Sequence, residues 1–289
     1  MQKIVPHLWF NTQAKEATTF YTSLFPNSRI TAAKVIKDTP SGDCDILSFE
    51  LMGYEFMSIS AGPYFTLNPS ISFMVGCEGA DEVSRLWSAL AEGGKVLMEL
   101  GAYPWSEQYG WVQDRFGVSW QLAVGKPSIV PSLMFTGDAA GKAEDAIRHY
   151  TSVLPDSKVG DIMPYGAGEE PSVEGTVKYG TFTLAGQEFV AMDSAGPHDF
   201  GFNEAVSLVV RCETQEEIDQ YWEKLSAVPE SEQCGWLKDQ FGVSWQIIPT
   251  AMDRMMREGD AEAAGRVTQA FLGMKKFDIA ALEAAYQGK

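Results

Sequence analysis

The stretch SEQYGWVQDRFGVSWQ, residues 106–121, occurs again as SEQCGWLKDQFGVSWQ at residues 231–246. Of the 16 aligned positions, 12 are identical, and the copies are 231 − 106 = 125 residues apart. In both copies a glycine follows an aspartate by three positions and precedes an alternating apolar and polar run. Glycine permits the backbone of a tight turn, so the pattern predicts a β-hairpin. The sequence therefore indicates a duplication.

The residues around each hairpin repeat as well. In the first half, Ala17, Phe20, Tyr21 and Leu24 have helical spacing between strand-like runs, and a turn is predicted at residues 40–42. The pattern is strand, helix and three strands, written four times. It predicts an α+β fold with domains at residues 1–125 and 126–249. Residues 250–289 form a helical tail of two helices, for which we expect a structural or homodimer-forming role.

Composition narrows the range of partners. The chain has 289 residues, 45% hydrophobic content and a formal net charge of −17. Such a charge disfavours nucleic acid and anionic membranes and leaves a small-molecule ligand as the expected partner. No apolar run approaches the ~20 residues of a membrane span, and no leader is evident, so a cytoplasmic location is expected. The four cysteines lack CxxC spacing, which argues against a zinc or disulfide scaffold.

The four modules, the closing hairpin and the helix end Phe-Tyr-x-x-x-Phe-Pro at residues 20–26 resemble the vicinal oxygen chelate (VOC) superfamily. That superfamily contains glyoxalase I, bleomycin-resistance proteins and extradiol dioxygenases. Within it, residues 203–208 and 221–225 resemble the PhnB-like branch, often labelled as a 3-demethylubiquinone-9 3-methyltransferase domain. The resemblance implies tandem domains, each of two βαβββ modules that form a curved mixed sheet. Helices would cover the outer face, and the concave face would form a cleft.

Alternation of side chains along each strand predicts which residues face the clefts. The predicted cleft faces are small and polar. The first contains His7, Trp9, Ser58, Ser60, Ser70, Ser72, Met74, Ser119 and Gln121, and the second contains Ser132, Met134, Ala191, Asp193, Ala205, Ser207, Val209, Ser244 and Gln246.

The superfamily resemblance also implies positions for a divalent metal on the first, fourth, fifth and eighth strands. These positions carry His7, Ser58, Ser70 and Gln121 in the first domain, and Ser132, Ala191, Ala205 and Gln246 in the second. Only His7 is a strong ligand, whereas a divalent ion needs at least three donors. We therefore expect neither a metal nor a cofactor.

Several residues remain candidates for ligand binding. His7 is the only catalytic candidate. It would need orientation by Gln121, so the two are expected to approach each other, although a hydrogen-bonded strand histidine is the alternative. His198 is expected in a loop at a cleft mouth, and Asp193 either binds a cationic or hydroxyl-bearing ligand or lies in solvent. Trp9 and Trp105 either stack on a planar ligand or pack internally.

The sequence leaves four functions open. The first, which we favour, is a small-molecule binding protein or a metal-independent enzyme that uses the two concave clefts. The second is a metal-dependent enzyme of glyoxalase or dioxygenase type, and the third is a non-catalytic sequestering protein. A methyltransferase is disfavoured because no glycine-rich loop follows a strand with an acidic residue ~20 positions later.

Overall fold

The computed structural model describes residues 1–39 and 42–289 and divides into two compact units. The larger unit consists of residues 6–206 with Gln2, and the smaller of residues 207–289 with Met1 and Lys3–Val5. The turn predicted at residues 40–42 falls mainly on Pro40 and Ser41, outside the described ranges.

The secondary structure follows the predicted order of strand, helix and three strands, with the fourth module one strand shorter in the described residues. The first module is β1 (Ile4–Phe10), α1 (Ala14–Leu24), β2 (Arg29–Thr39), β3 (Gly42–Leu51) and β4 (Tyr54–Ser60); the second is β5 (Ile71–Cys77), α2 (Ala80–Ala91), β6 (Lys95–Tyr103), β7 (Ser106–Gln113) and β8 (Ser119–Val124). The third is β9 (Ser128–Phe135), α3 (Ala143–Val153), β10 (Lys158–Pro164), β11 (Val177–Leu184) and β12 (Gln187–Asp193), and the fourth is β13 (Val206–Cys212), α4 (Gln215–Leu225), β14 (Trp236–Lys238) and β15 (Ser244–Pro249).

In the larger unit, the second and third modules form one mixed sheet with strand order β10-β11-β12-β9-β5-β8-β7-β6. Strand β5 is parallel to β8 and antiparallel to β9, so strands from both sequence repeats lie side by side. The first module contributes the strand order β1-β4-β3-β2, in which β1 and β4 are parallel.

Helices cover one face of these strands. Gly110 on β7 lies against the Trp87 ring of α2, and Gly180 on β11 lies against Ile147 of α3. Neither position has room for a Cβ, because a Cβ at Gly110 would lie 2.5 Å from Trp87 Cζ3. Close packing of helix on sheet explains why glycine is used at these two positions.

The aspartate of the repeated hairpin makes contacts that give a reason for the high identity of the two copies. Asp114 is 4% exposed, and its carboxylate accepts hydrogen bonds from Phe116 N at 2.8 Å, Val118 N at 3.1 Å and Trp120 Nε1 at 2.8 Å. The hydroxyl of Tyr21 on α1 donates a fourth bond of 2.7 Å. The carboxylate thus closes the turn, fixes the tryptophan of β8 and anchors a helix of another module.

Aromatic side chains fill the core beneath the helices. The Phe73 ring on β5 lies 4.9 Å from Phe56 and 5.4 Å from Trp120, centroid to centroid. Both contacts have the tilted or edge-on geometry that aromatic pairs prefer. The core face of the eight-stranded sheet therefore contains the odd-numbered residues of β5 and the even-numbered residues of β8.

In the smaller unit, β14, β15 and β13 are adjacent in that order. Asp239 repeats the role of Asp114, accepting bonds from Phe241 N, Val243 N and Trp245 Nε1 at 2.8, 3.0 and 2.8 Å. The tail contains α5 (Thr250–Glu258), α6 (Ala261–Leu272) and α7 (Ile279–Gln287). The predicted break near residue 259 is confirmed, but a second break before Ile279 was missed. There Asp278 caps α7 by accepting a 2.9 Å bond from Ala281 N.

Within the described residues, no helix combines the length and apolar character that crossing a membrane would require.

Candidate ligand-binding cleft

The eight-stranded sheet has a second face, opposite its helices. A Cβ at Gly110 or Gly180 would point toward a helix. Because side chains alternate along a strand, the neighbouring residues Tyr109, Trp111 and Tyr179 point to the opposite face. Strand register extends this face across the sheet, because directly paired residues share a side. We call this surface the cleft; it contains Ser72, Met74, Tyr109, Trp111, Gln121, Ser132, Met134, Tyr179, Val190 and Met192.

Two tyrosines lie near opposite ends of this face. Tyr109 on β7 and Tyr179 on β11 are five strand intervals apart. Burial raises the pKa of Tyr109 above its ordinary value, and charge repulsion from Tyr103 and from Tyr179 raises this pKa further. The Tyr109 phenol is therefore protonated at neutral pH.

A chain of polar side chains lies on the cleft floor. The Tyr109 hydroxyl donates a 2.7 Å hydrogen bond to Gln121 Oε1, and Gln121 Nε2 donates a 2.8 Å bond to Ser72 Oγ. Nearby, Trp111 Nε1 donates to Ser119 Oγ at 2.7 Å. These bonds fix the orientation of the glutamine amide. Ser72 Oγ, which accepts from Gln121, still has a proton to donate.

Ser132 is the polar group of the cleft that the protein does not satisfy. It lies on β9 directly opposite Ser72 on β5 and is 1% exposed. Its Oγ makes no hydrogen bond within the part of the chain that the structure describes. An unsatisfied buried hydroxyl costs about 1–3 kcal/mol, and native proteins contain few of them. Such an atom on a cleft floor is therefore a candidate contact for a ligand.

The remaining floor is apolar and polarisable. Val190 is paired with Ser132, and Met192 with Met134. Met74 is paired with Gln121. Because the raised pKa values of Tyr109 and Tyr179 keep both phenols protonated at neutral pH, these named groups present an uncharged surface. Thioether side chains adapt readily to flat or irregular apolar surfaces.

The predicted face assignment is wrong for Ser58 and Ser60. Ser58 Oγ lies 2.8 Å from Thr18 Oγ1 of α1, and Ser60 Oγ accepts a 3.1 Å bond from Ala14 N. Both serines therefore face the helix. Met57, the register partner of His7, lies on the opposite face. The alternation along β4 was recognised but assigned one residue out of phase.

The same phase error applies to Asp193 and Ala191 on β12. Asp193 Oδ1 accepts from Gly141 N at 2.7 Å and Ala143 N at 3.1 Å, and Oδ2 accepts from Val177 N at 2.9 Å. It is 3% exposed and binds backbone N–H groups before and at the start of α3 and at the start of β11, so it lies on the helix side of the sheet. Ala191 shares its helix-facing side.

His7 and Gln121 do not share a cleft. His7 lies on β1 beside β4, and Gln121 lies in the eight-stranded sheet, so the predicted approach of the two side chains is wrong. Burial lowers the pKa of His7 to about 4, which keeps the imidazole neutral at physiological pH. On the same strand, Trp9 donates a 2.8 Å bond from Nε1 to Gly62 O, and its ring packs against Phe65.

The other predicted residues lie in separate places. Ser70 precedes β5 and is 4% exposed. Gln246 repeats the Gln121 arrangement by donating a 2.9 Å bond to Ser207 Oγ in the smaller unit. His198 follows β12, as expected for a loop residue, with Nε2 2.6 Å from Ser194 Oγ. Trp105, in the turn between β6 and β7, is 64% exposed and stacks on Tyr103.

Metal ligation has little support in the side chains themselves. No group of three or more His, Cys, Asp or Glu residues is arranged to hold a metal ion among the residues described. At the positions implied by the superfamily, Gln121 is bonded to Ser72 and Tyr109, and Ser132 offers a neutral hydroxyl. Hydroxyl and amide oxygens of this kind are poor substitutes for imidazole and carboxylate.

Sequence reasoning missed Tyr109 and Tyr179 and gave Ser132 no role in binding. Position 109 carried a signal, because it is one of the 4 among 16 hairpin positions that differ between the copies, with Cys234 in the second. Tyr179 carried none, because its place on the same sheet face as Tyr109 depends on how the modules pair.

A sequence model of the family described as 3-demethylubiquinone-9 3-methyltransferase matches residues 2–123 and, a second time, residues 127–248. The chain belongs to this family. A PhnB protein from Bacillus cereus is 39% identical over 43% of this chain and all of its own length, with a TM-score of 0.41. A protein from Pseudomonas aeruginosa is 28% identical over 43% of this chain and 98% of its own, with a TM-score of 0.38.

The fold of the chain as a whole is also similar to that of solved structures that contain both repeats. Glyoxalase I from Zea mays matches 86% of this chain and 94% of its own length at 11% identity, with a TM-score of 0.55. This likeness concerns the fold alone, which is the glyoxalase-like fold that the sequence resemblance implied, and the two family matches show two tandem domains. Among curated proteins, none matches the chain.

Proposed function

We propose that this PhnB-like protein binds a small, uncharged organic molecule in the cleft of the eight-stranded sheet. The observation that carries the proposal is the buried, unsatisfied Oγ of Ser132 beside the bonded pair Gln121 and Ser72. A ligand with a hydroxyl or carbonyl group would satisfy this atom and the remaining proton of Ser72. Pockets for small molecules typically combine an apolar lining with a few polar groups of this kind.

The floor is suited to binding and orientation rather than proton transfer. Gln121 and the serines do not titrate near neutral pH, and burial keeps Tyr109 in its protonated form. If the protein is an enzyme, Ser72, whose hydroxyl accepts from Gln121, is suited to donate a hydrogen bond to a carbonyl oxygen of the bound molecule. Sequestration without turnover uses the same contacts, and product analysis after incubation separates the two functions.

Methyl transfer, named in the family description, makes a different prediction. A methyltransferase would bind S-adenosylmethionine, which is large, charged and poorly matched to an uncharged floor. Calorimetric titration with S-adenosylmethionine tests this alternative. Micromolar binding that is lost in Ser132→Ala would replace our proposal with a methyl-transfer site in the same cleft.

The main test uses Ser132→Ala. Removing the unsatisfied hydroxyl should leave the free energy of unfolding unchanged or raise it by about 1 kcal/mol, while weakening ligand binding by about 0.5–1.5 kcal/mol. The measurements are thermal melting and titration with uncharged alcohols, phenols and ketones that shift the melting temperature of the wild-type protein. Ser72→Ala is the matched control, since it breaks a bond to Gln121 and should lower stability.

Two outcomes would overturn the proposal. One is a wild-type protein whose melting temperature no such compound shifts. The other is a Ser132→Ala variant that loses stability but keeps its affinity, which would make Ser132 part of the scaffold.

A further inference from the structure

Three aromatic side chains lie together at one rim of the cleft. Trp105 stacks on Tyr103 with ring centroids 5.1 Å apart and planes 28° apart. Tyr109 meets both rings edge-on, at 5.7 Å from Trp105 and 5.5 Å from Tyr103. We call these three residues the aromatic rim; they stand on the β6–β7 hairpin, which closes one end of the sheet.

The aromatic rim is connected to the polar floor. Tyr109 is 6% exposed, and its hydroxyl donates to Gln121, which donates in turn to Ser72. A molecule hydrogen-bonded to Ser132 and Ser72 would therefore have its remainder beside Tyr109. From there the aromatic surface continues outward to Trp105, which is 64% exposed.

Thioether side chains adjoin the polar floor. Met74 is paired with Gln121, and Met134, paired with Met192, lies on the same face as Ser132. Rings at the rim with thioethers on the floor favour a flat, polarisable guest over a saturated one of equal size.

The second sequence repeat lacks this rim. Equivalent positions of the two repeats are 135 residues apart at Cys77 and Cys212 but 125 residues apart at Ser106 and Ser231. The second repeat is therefore 135 − 125 = 10 residues shorter between these two points. Cys234 replaces Tyr109, and its backbone N–H is bonded to Met274 O of the tail at 2.8 Å. Because the hairpin itself is otherwise closely repeated, the aromatic rim is not required to form it.

We propose that the aromatic rim makes the cleft selective for a planar, uncharged aromatic compound with one hydroxyl or carbonyl group. Such a compound would place its polar group on Ser132 and Ser72 and its ring beside Tyr109, with Trp105 covering the outer edge. This inference rests on the proposed function of the same cleft and adds the chemical class of the ligand.

The test compares 2-naphthol with decahydro-2-naphthol, which has the same hydroxyl on a saturated skeleton. We expect the wild-type protein to bind 2-naphthol about tenfold more tightly, the size of one favourable aromatic contact. Trp105→Ala should remove most of this preference, and Trp105→Phe should keep it. Tyr64→Ala is the matched control, because Tyr64 is also 64% exposed but packs against Trp9 instead.

The outcomes separate this inference from the proposed function. If Ser132→Ala weakens both compounds and Trp105→Ala weakens neither, the cleft binds small molecules but the aromatic selectivity is wrong. Equal affinity of the wild-type protein for both compounds overturns the selectivity as well. If Ser132→Ala leaves both affinities unchanged, the proposed function fails together with this inference. Because Trp105 is mostly exposed, its variants should fold, which melting curves check directly.

Discussion

Replacing Tyr21 with phenylalanine tests how the repeated hairpin is held to the helix of another module. The substitution removes only the hydroxyl that donates the 2.7 Å bond to Asp114 Oδ2. Tyr21 is fully buried, and its ring lies 5.3 Å from Trp120. Since phenylalanine keeps the ring and its packing, the change isolates one hydrogen bond to a buried carboxylate.

The expected loss follows from the bonds that remain. In the variant, Asp114 still accepts three hydrogen bonds, from Phe116 N, Val118 N and Trp120 Nε1. The buried carboxylate therefore loses one of its four hydrogen bonds. A hydrogen bond to a charged group contributes about 1.5–3 kcal/mol, and we expect a decrease of about 2 kcal/mol in the free energy of unfolding. In a unit of this size that corresponds to a melting temperature lower by roughly 4–8 °C.

The loss should depend on pH. Burial raises the pKa of Asp114, and its four hydrogen bonds, with Tyr21 first, oppose that rise. Because the folded pKa is raised, the stability contributed by Asp114 is greatest below its unfolded pKa and falls as pH rises through the folded value. Tyr21→Phe raises the folded pKa further. The difference between wild type and variant should therefore be small near pH 4 and grow toward neutral pH.

Denaturant unfolding of both proteins across this pH range measures the effect. Tyr54→Phe is the control, since the half-buried Tyr54 hydroxyl accepts a 3.3 Å bond from the neutral amide of Gln187. We expect the control to lose about 0.5–1.5 kcal/mol with no comparable pH dependence. A loss in Tyr21→Phe that is the same at pH 4 and pH 7, or smaller than that of the control, would refute the reasoning.

Two further predictions concern residues outside the cleft. Gly110→Ala should lower the free energy of unfolding by about 1–3 kcal/mol because its Cβ would meet Trp87. Gly235→Ala should lower it more, because alanine would both clash with Phe277 and have to adopt the φ of +83° of this glycine. Chemical denaturation compares the two variants, and a smaller loss in Gly235→Ala would contradict the strain argument. Asp193→Ala should lower stability by about 2 kcal/mol or more through three lost backbone bonds, without changing 2-naphthol affinity; a titration showing weaker binding would restore its predicted ligand role.

The architecture could be predicted from the sequence because the hairpin is written twice. Identity at 12 of 16 positions indicated the duplication, and helical spacing around Tyr21 located α1, whose buried residues include Ala17 and Tyr21. The assignment of α+β tandem modules is confirmed. These signals come from residues that are close together in the chain, so they can be recognised without knowing how the modules pair.

The site was predicted less well because the phase of a buried strand is not local. Both faces of β1 are buried, and its sequence alternates too weakly to identify the helix-covered side. A shift of one residue moved Ser58 and Asp193 to the wrong face. Sequence reasoning could not place Tyr109 and Tyr179 on one sheet face, because this depends on a sheet that joins two modules from different repeats.

The two copies of the hairpin show how one motif supports different surroundings. In the first copy, Trp87 of α2 covers Gly110, and β6 extends the sheet beside β7. In the second, Phe277 of the tail covers Gly235, whose N–H is bonded to Lys275 O at 2.7 Å. The tail therefore binds the second hairpin at the place where β6 and the aromatic rim lie beside the first. The ten residues missing before the second hairpin and the presence of the tail are thus connected: the tail replaces the missing segment. The aromatic rim belongs to the first hairpin, which is part of the same sheet as Ser132.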